Sequence, residues 1–184
     1  MVSKYSSVLL SHGIVSTGSK PTYSTAFAVI LHALTFVTVA KQNPSTTLLG
    51  KTHSAEEEAT ILSWSSFANS ELLPPIMAWI NPVIGKAPLE DKTLEKAEQA
   101  LEPMLAPIEK SLQGGKQFLV GDSLTIADLF VVAALGRGYQ FVLTEDWAAR
   151  HAKIHEYYMR IRSDPIYEKV DGKATVLKEV AFKV

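Results

Sequence analysis

The stretch Phe118-Leu119-Val120-Gly121-Asp122-Ser123-Leu124-Thr125-Ile126-Ala127-Asp128-Leu129 stacks several helix-starting devices in one place. Gly121 and Asp122 supply a turn. Thr125 is placed to cap a helix by accepting from a backbone N–H two or three residues on. Asp128, three residues after Thr125, is placed to reach back to the Thr125 N–H, a capping box with Asp where Glu or Gln is usual. Its charge also suits the positive end of the helix dipole. Residues 126–142 are then almost wholly apolar, with Leu129, Phe130, Val131, Val132, Ala133, Ala134 and Leu135 in a single run. A helix that is apolar all round is a buried one. A buried helix start cannot leave its N–H groups unpaired, so the box is obligatory and the rest of the chain must pack around this helix.

The other elements are legible from periodicity and breakers. Residues 4–10 have β character, and residues 11–23, rich in Ser, Gly and Thr, read as loop. Residues 26–40 form an apolar stretch of about 15 residues, short of the roughly 20 a bilayer span needs, so a buried helix or strand is expected there. Ser54 opens a helix with Glu56, Glu57 and Glu58 in its first turn; it is expected to run to about Leu73, where Pro74-Pro75 interrupt it. Residues 76–84 form a second segment. Residues 91–112 form a helix that Pro103 and Pro107 should bend or end early, with Gly114-Gly115 closing it. Residues 147–162 form another helix, closed by Asp164-Pro165. A short turn follows at 165–170, and then a Lys-rich tail to Val184 whose order the pattern leaves open.

Within this frame the string Gly121-x-x-Leu124-Thr125-x-Ala127-Asp128, followed by a long buried helix, resembles the core helix of the glutathione transferase superfamily. The motif is structural in that family, so it speaks to the fold and not to the chemistry. Within the superfamily the chain resembles the transferase-like domain of the elongation-factor gamma subunit, from about residue 46 to 167. The matching residues include Leu48-Leu49-Gly50, Trp64, Ser66-Phe67-Ala68-Asn69-Ser70-Glu71-Leu72-Leu73-Pro74-Pro75, Arg137-Gly138-Tyr139-Gln140 and Asp164-Pro165-Ile166-Tyr167. The resemblance implies a mainly α fold: a transferase C-terminal helical bundle at 46–184, preceded at 1–45 by a truncated thioredoxin-like α/β remnant.

The N-terminal part departs from the family pattern. Only about 50 residues precede the bundle, fewer than a complete thioredoxin-like domain takes. The family's Glu-Ser-x-Ala-Ile motif, which grips the γ-glutamyl end of glutathione, has two competing registers here. Tyr23-Ser24-Thr25-Ala26-Phe27 keeps Ser and Ala; Leu31-His32-Ala33-Leu34-Thr35 keeps the distance to Leu48-Leu49-Gly50. Neither has the Glu, so the usual grip is altered or lost.

The chain has no cysteine, so any thiol chemistry must come from a ligand. By resemblance that ligand is glutathione, and a hydroxyl near its sulfur would stabilise the thiolate. Ser11 and His12 are the catalytic candidates, and Tyr23 and Ser24 the glutathione contacts; each has a plain alternative as a turn or solvated loop residue. On the electrophile side the resemblance points to Trp64, Phe67, Asn69, Arg137 and Tyr139, with core packing as the alternative for the aromatic residues. Arg137, a charge in an apolar helix, needs either a ligand anion or an acidic partner such as Asp128 or Glu71.

The net charge of −1 gives no footprint for nucleic acid. No basic run marks a membrane surface, and no His pair has metal-ligand spacing with a carboxylate. The resemblance implies a cytoplasmic homodimer, since a truncated sheet leaves edges that invite pairing. The expected activity is glutathione-dependent transfer, or trans/cis olefin isomerisation, on a small hydrophobic conjugated electrophile. This is the chemistry of the pseurotin-type transferases of fungal secondary metabolism. The alternative is a non-catalytic assembly module like the translation-factor domain.

Overall fold

The computed structural model describes residues 35, 37–43 and 46–182. Ser11, His12, Tyr23, Ser24 and the expected thioredoxin-like remnant before residue 35 lie outside the described residues. Of the apolar stretch at 26–40, residues 35 and 37–40 are helical. From there the chain is a bundle of seven further α-helices: α1 Ala55–Phe67, α2 Leu73–Val83, α3 Asp91–Ser111, α4 Ile126–Tyr139, α5 Glu145–Arg150, α6 Ala152–Arg162 and α7 Pro165–Asp171. A π-helical turn, Ala68–Leu72, joins α1 to α2, and a 3-10 turn, Gln113–Gly115, follows α3. Among the described residues the only β-pairing is an isolated bridge between Thr144 and Leu177.

Helix α4 is the hub, packing against α1, α2 and α6. Its start is the expected capping box. Asp128 is fully buried, and its Oδ2 accepts from the Thr125 N–H at 2.9 Å and the Thr125 hydroxyl at 3.0 Å. Its Oδ1 accepts from the Leu119 N–H at 2.9 Å and the Tyr157 hydroxyl at 3.1 Å. The carboxylate thus ties the preceding loop, its own helix start and α6 together. Burial pushes the Asp128 carboxyl above its ordinary value, and the four donors only partly offset this.

The segment before α1 is held to the same place. The Leu48 carbonyl accepts from the Ile126 N–H at 2.9 Å, filling one of the donors that a helix start leaves without an intrahelical partner. Leu49 is buried in the core. Gly50 has φ +99, and a Cβ there would overlap the carboxyl end of Glu57. That carboxylate is engaged, accepting from the Thr52 N–H at 2.9 Å and its hydroxyl at 2.5 Å. Leu48-Leu49-Gly50 therefore reads as an acceptor, a core anchor and a position where any side chain is strained and must displace the Glu57 carboxylate.

Three expectations about helix ends are corrected. Pro74-Pro75 do not interrupt the first helix. The Leu73 N–H bonds to the Ala68 carbonyl, five residues back, and this wide turn lets two residues without N–H donors begin α2. Pro103 and Pro107 do not end α3, which runs 21 residues. Both lie on its exposed face, where the carbonyls they leave without donors meet water. The helix expected at 147–162 is two helices, broken at His151 (φ −117, ψ 47), and α5 starts at Glu145 because Thr144 caps it. The tail is ordered against the bundle through Phe182, with the Ala181 N–H on the Phe141 carbonyl at 3.0 Å.

Helix α4 also departs from the all-buried expectation. Ala133 and Arg137 are exposed, while Leu129 and Phe130 are half-buried. This open stripe is where the candidate site lies.

Candidate functional site

A groove of about 340 Å³ runs between the α1–α2 junction and α4, lined by Asn69, Leu73, Leu129, Phe130, Ala133, Ala134 and Arg137. Spacing on α4 explains the wall: Leu129, Ala133 and Arg137 recur every four residues, so they stack on one face. The opposite wall comes from the π turn. Its extra residue places Asn69 at the junction, and such turns recur at functional sites.

Two polar groups interrupt the apolar lining. Asn69 Nδ2 donates to the Ser65 carbonyl at 2.9 Å, which fixes the amide and leaves its Oδ1 without a partner among the described residues. Arg137 is exposed; its Nη1 donates to Gln140 Oε1 at 2.6 Å, and the guanidinium lies 5.3 Å from the Phe141 ring centroid. Neither acid considered from sequence pairs with it. Asp128 is taken up by its four donors, and Glu71 forms no ion pair with it. Among the described residues the Arg137 charge has no carboxylate partner.

The sequence candidates therefore separate. Asn69 and Arg137 come together in the groove. Trp64 and Phe67 pair edge-to-face, with centroids 5.4 Å apart at 86°. They are half-buried against the core and do not line the groove. Tyr139 points the other way, with 1% of its surface exposed. It stacks on Tyr158 at 4.1 Å, and its hydroxyl lies 3.0 Å from His155 Nδ1. Burial raises its pKa well above the ordinary phenol value, so it remains a neutral structural phenol. Leu73, Leu129, Phe130, Ala133 and Ala134 were missed. Counting back in fours from Arg137, the one basic residue of α4, would have found Ala133 and Leu129.

Chemically the groove offers an apolar slot with a cation and an amide at its polar points. It suits an apolar molecule carrying an oxygen on which negative charge rests or develops. Among the described residues its lining holds no nucleophile and no base. Among the described residues no cluster of three or more His, Cys, Asp or Glu is placed to hold a metal. Among the same residues no helix is long and apolar enough to cross a membrane.

Comparison with known proteins agrees with this architecture. Residues 72–165 match the family model described as "Glutathione S-transferase, C-terminal domain". Glutathione S-transferase stcT of Emericella nidulans is 30% identical over 155 residues, covering 84% of this chain and 70% of that protein. Glutathione S-transferase psoE of Aspergillus fumigatus is 32% identical over 141 residues, covering 77% of this chain and 58% of that protein. Elongation factor 1-gamma of Schizosaccharomyces pombe is 36% identical over 123 residues, covering 67% of this chain and 29% of that protein. In fold, the chain matches the crystal structure of the GST-like domain of elongation factor 1-gamma from Saccharomyces cerevisiae. The TM-score is 0.68, with 23% identity, 91% of this chain covered and 74% of that one.

Proposed function

Because the chain belongs to the glutathione S-transferase family through its C-terminal domain, we propose that it is a glutathione-dependent transferase or trans/cis olefin isomerase acting on an apolar conjugated carbonyl compound. The observation that carries this is the groove itself, an apolar slot of about 340 Å³ with one cation that has no carboxylate partner among the described residues. In the proposed reaction a C–S bond forms at the β-carbon, and the π electrons move onto the carbonyl oxygen as an enolate. The former double bond then rotates as a single bond. Elimination breaks the C–S bond and returns the other isomer, or protonation retains the adduct as a conjugate.

The chain's own residues divide the work. Leu129, Phe130 and Ala133 hold the apolar body and exclude water. Arg137 faces the oxygen, where its charge favours the enolate over the neutral carbonyl, and Asn69 fixes orientation. Ser11 and His12 are proposed to activate the thiol, with Tyr23 and Ser24 as its contacts. The chain is proposed to act as a homodimer. Filling the slot gives a direct check. Ala133→Trp, at an exposed position, is expected to raise KM for the electrophile about tenfold or more. The glutathione KM and Tm should stay near wild type. Equal loss on both substrates would place the electrophile elsewhere.

A second reading, a non-catalytic assembly module, draws on the elongation-factor relatives and on the altered Glu-Ser grip. Calorimetric titration with glutathione separates the two. Micromolar to millimolar binding is expected; no heat together with no thermal shift would overturn the enzyme and leave the module.

A further inference from the structure

Resting on the reading of the groove as the electrophile site, we infer that residues 177–182 act as a strap that positions the Arg137 guanidinium through Phe141. After α7 the chain turns back at Gly172, φ +74. Arg162 holds the turn. It is 5% exposed, with Nη1 on Asp171 Oδ2 at 2.5 Å and Nη2 on the Gly172 carbonyl at 3.1 Å. From there the chain crosses the far end of α4. The Leu177 carbonyl accepts from the Glu145 N–H at 2.8 Å, and the Ala181 N–H donates to the Phe141 carbonyl at 3.0 Å. Val176 and Val180 pack on the core.

Phe141 lies just past the end of α4, and its carbonyl takes its hydrogen bond from the strap. Its ring is the platform for Arg137, 5.3 Å from the guanidinium carbon. A free arginine side chain carries substantial rotamer entropy, and a guanidinium already seated on an aromatic face loses less of it when a ligand arrives. The strap thus fixes the platform and the platform fixes the cation, so a segment that does not line the groove sets its affinity for an anionic or oxyanionic ligand.

The test is fluorimetric titration of the full chain with anilinonaphthalene sulfonate, an apolar anion that requires no catalysis. Arg137→Ala is expected to weaken binding about fivefold, and Ala181→Pro, which deletes the donor N–H, about threefold. The double variant should bind no more weakly than Arg137→Ala alone, because the strap acts only through that side chain. Phe141→Leu, which keeps the strap and removes the platform, should behave like Ala181→Pro and serves if that variant does not fold. Wild-type affinity in Phe141→Leu and Ala181→Pro, or losses that multiply in the double variant, would overturn the strap while leaving the groove. No effect of Arg137→Ala would overturn the groove reading and the strap with it.

Discussion

Asp128→Ala is expected to lower stability by about 3–5 kcal/mol, as for breaking a buried charged network from one side. The cost has a definite origin. Four donors converge on this carboxylate, two of them backbone N–H groups, at Thr125 and Leu119, that no solvent reaches. Asp128→Asn should cost about 2 kcal/mol, because an amide turns its NH2 toward groups that are themselves donors. The pH dependence of that gap has a sign. Burial holds the folded-state pKa of Asp128 above its ordinary 3.8. The stability tied to its titration is therefore complete below that value and is lost as the pH rises through the folded pKa. Denaturant unfolding should find the gap between wild type and Asp128→Asn wider in acid than at neutral pH. A gap that widens toward neutrality would mean the donors outweigh burial and depress the pKa.

Gly50→Ala is expected to cost about 2–4 kcal/mol, from backbone strain together with a steric conflict. At φ +99 any side chain is strained, and the added Cβ must displace a Glu57 carboxylate held by the backbone and hydroxyl of Thr52. Gly121 supplies the control. Its φ of +66 is left-handed too, but a Cβ there meets nothing nearer than Glu57 Oε1 at 3.6 Å. Gly121→Ala should therefore cost only about 1 kcal/mol, the conformational part alone. Equal losses in thermal unfolding would show that packing against Glu57 contributes nothing. Because the Leu48 carbonyl caps α4, Gly50→Ala should also loosen the start of that helix, seen as faster amide exchange at Ile126.

Much of the fold was legible because its signals are local. The capping box needs only Thr125 and Asp128 three residues apart, and the breaks at Gly114-Gly115 and Asp164-Pro165 follow from backbone rules that hold in any context. The errors arose where the backbone found a different local geometry from the one the rule assumed. Pro74-Pro75 forbid the ordinary hydrogen bonds of a helix, but a π turn removes the need for them. His151 interrupts a stretch whose pattern is helical throughout.

The candidate site was legible in part. The family resemblance pointed to Asn69 and Arg137, Arg137 standing out also as a charge in an apolar helix, and the two meet in one groove. Tyr139 carried the same kind of signal, yet its ring lies in the core against Tyr158 and His155. Side-chain direction on a helix depends on which face the neighbours cover, and spacing alone does not say which. Residues 126–142 as a sequence set the helix, its start and its apolar character, since these follow from hydrogen bonding and burial along the chain. That Leu129, Ala133 and Arg137 are left open, and that Ala181 reaches the residue beneath Arg137, was decided by tertiary packing. A groove is a gap between elements distant in sequence, and only their three-dimensional placement makes it.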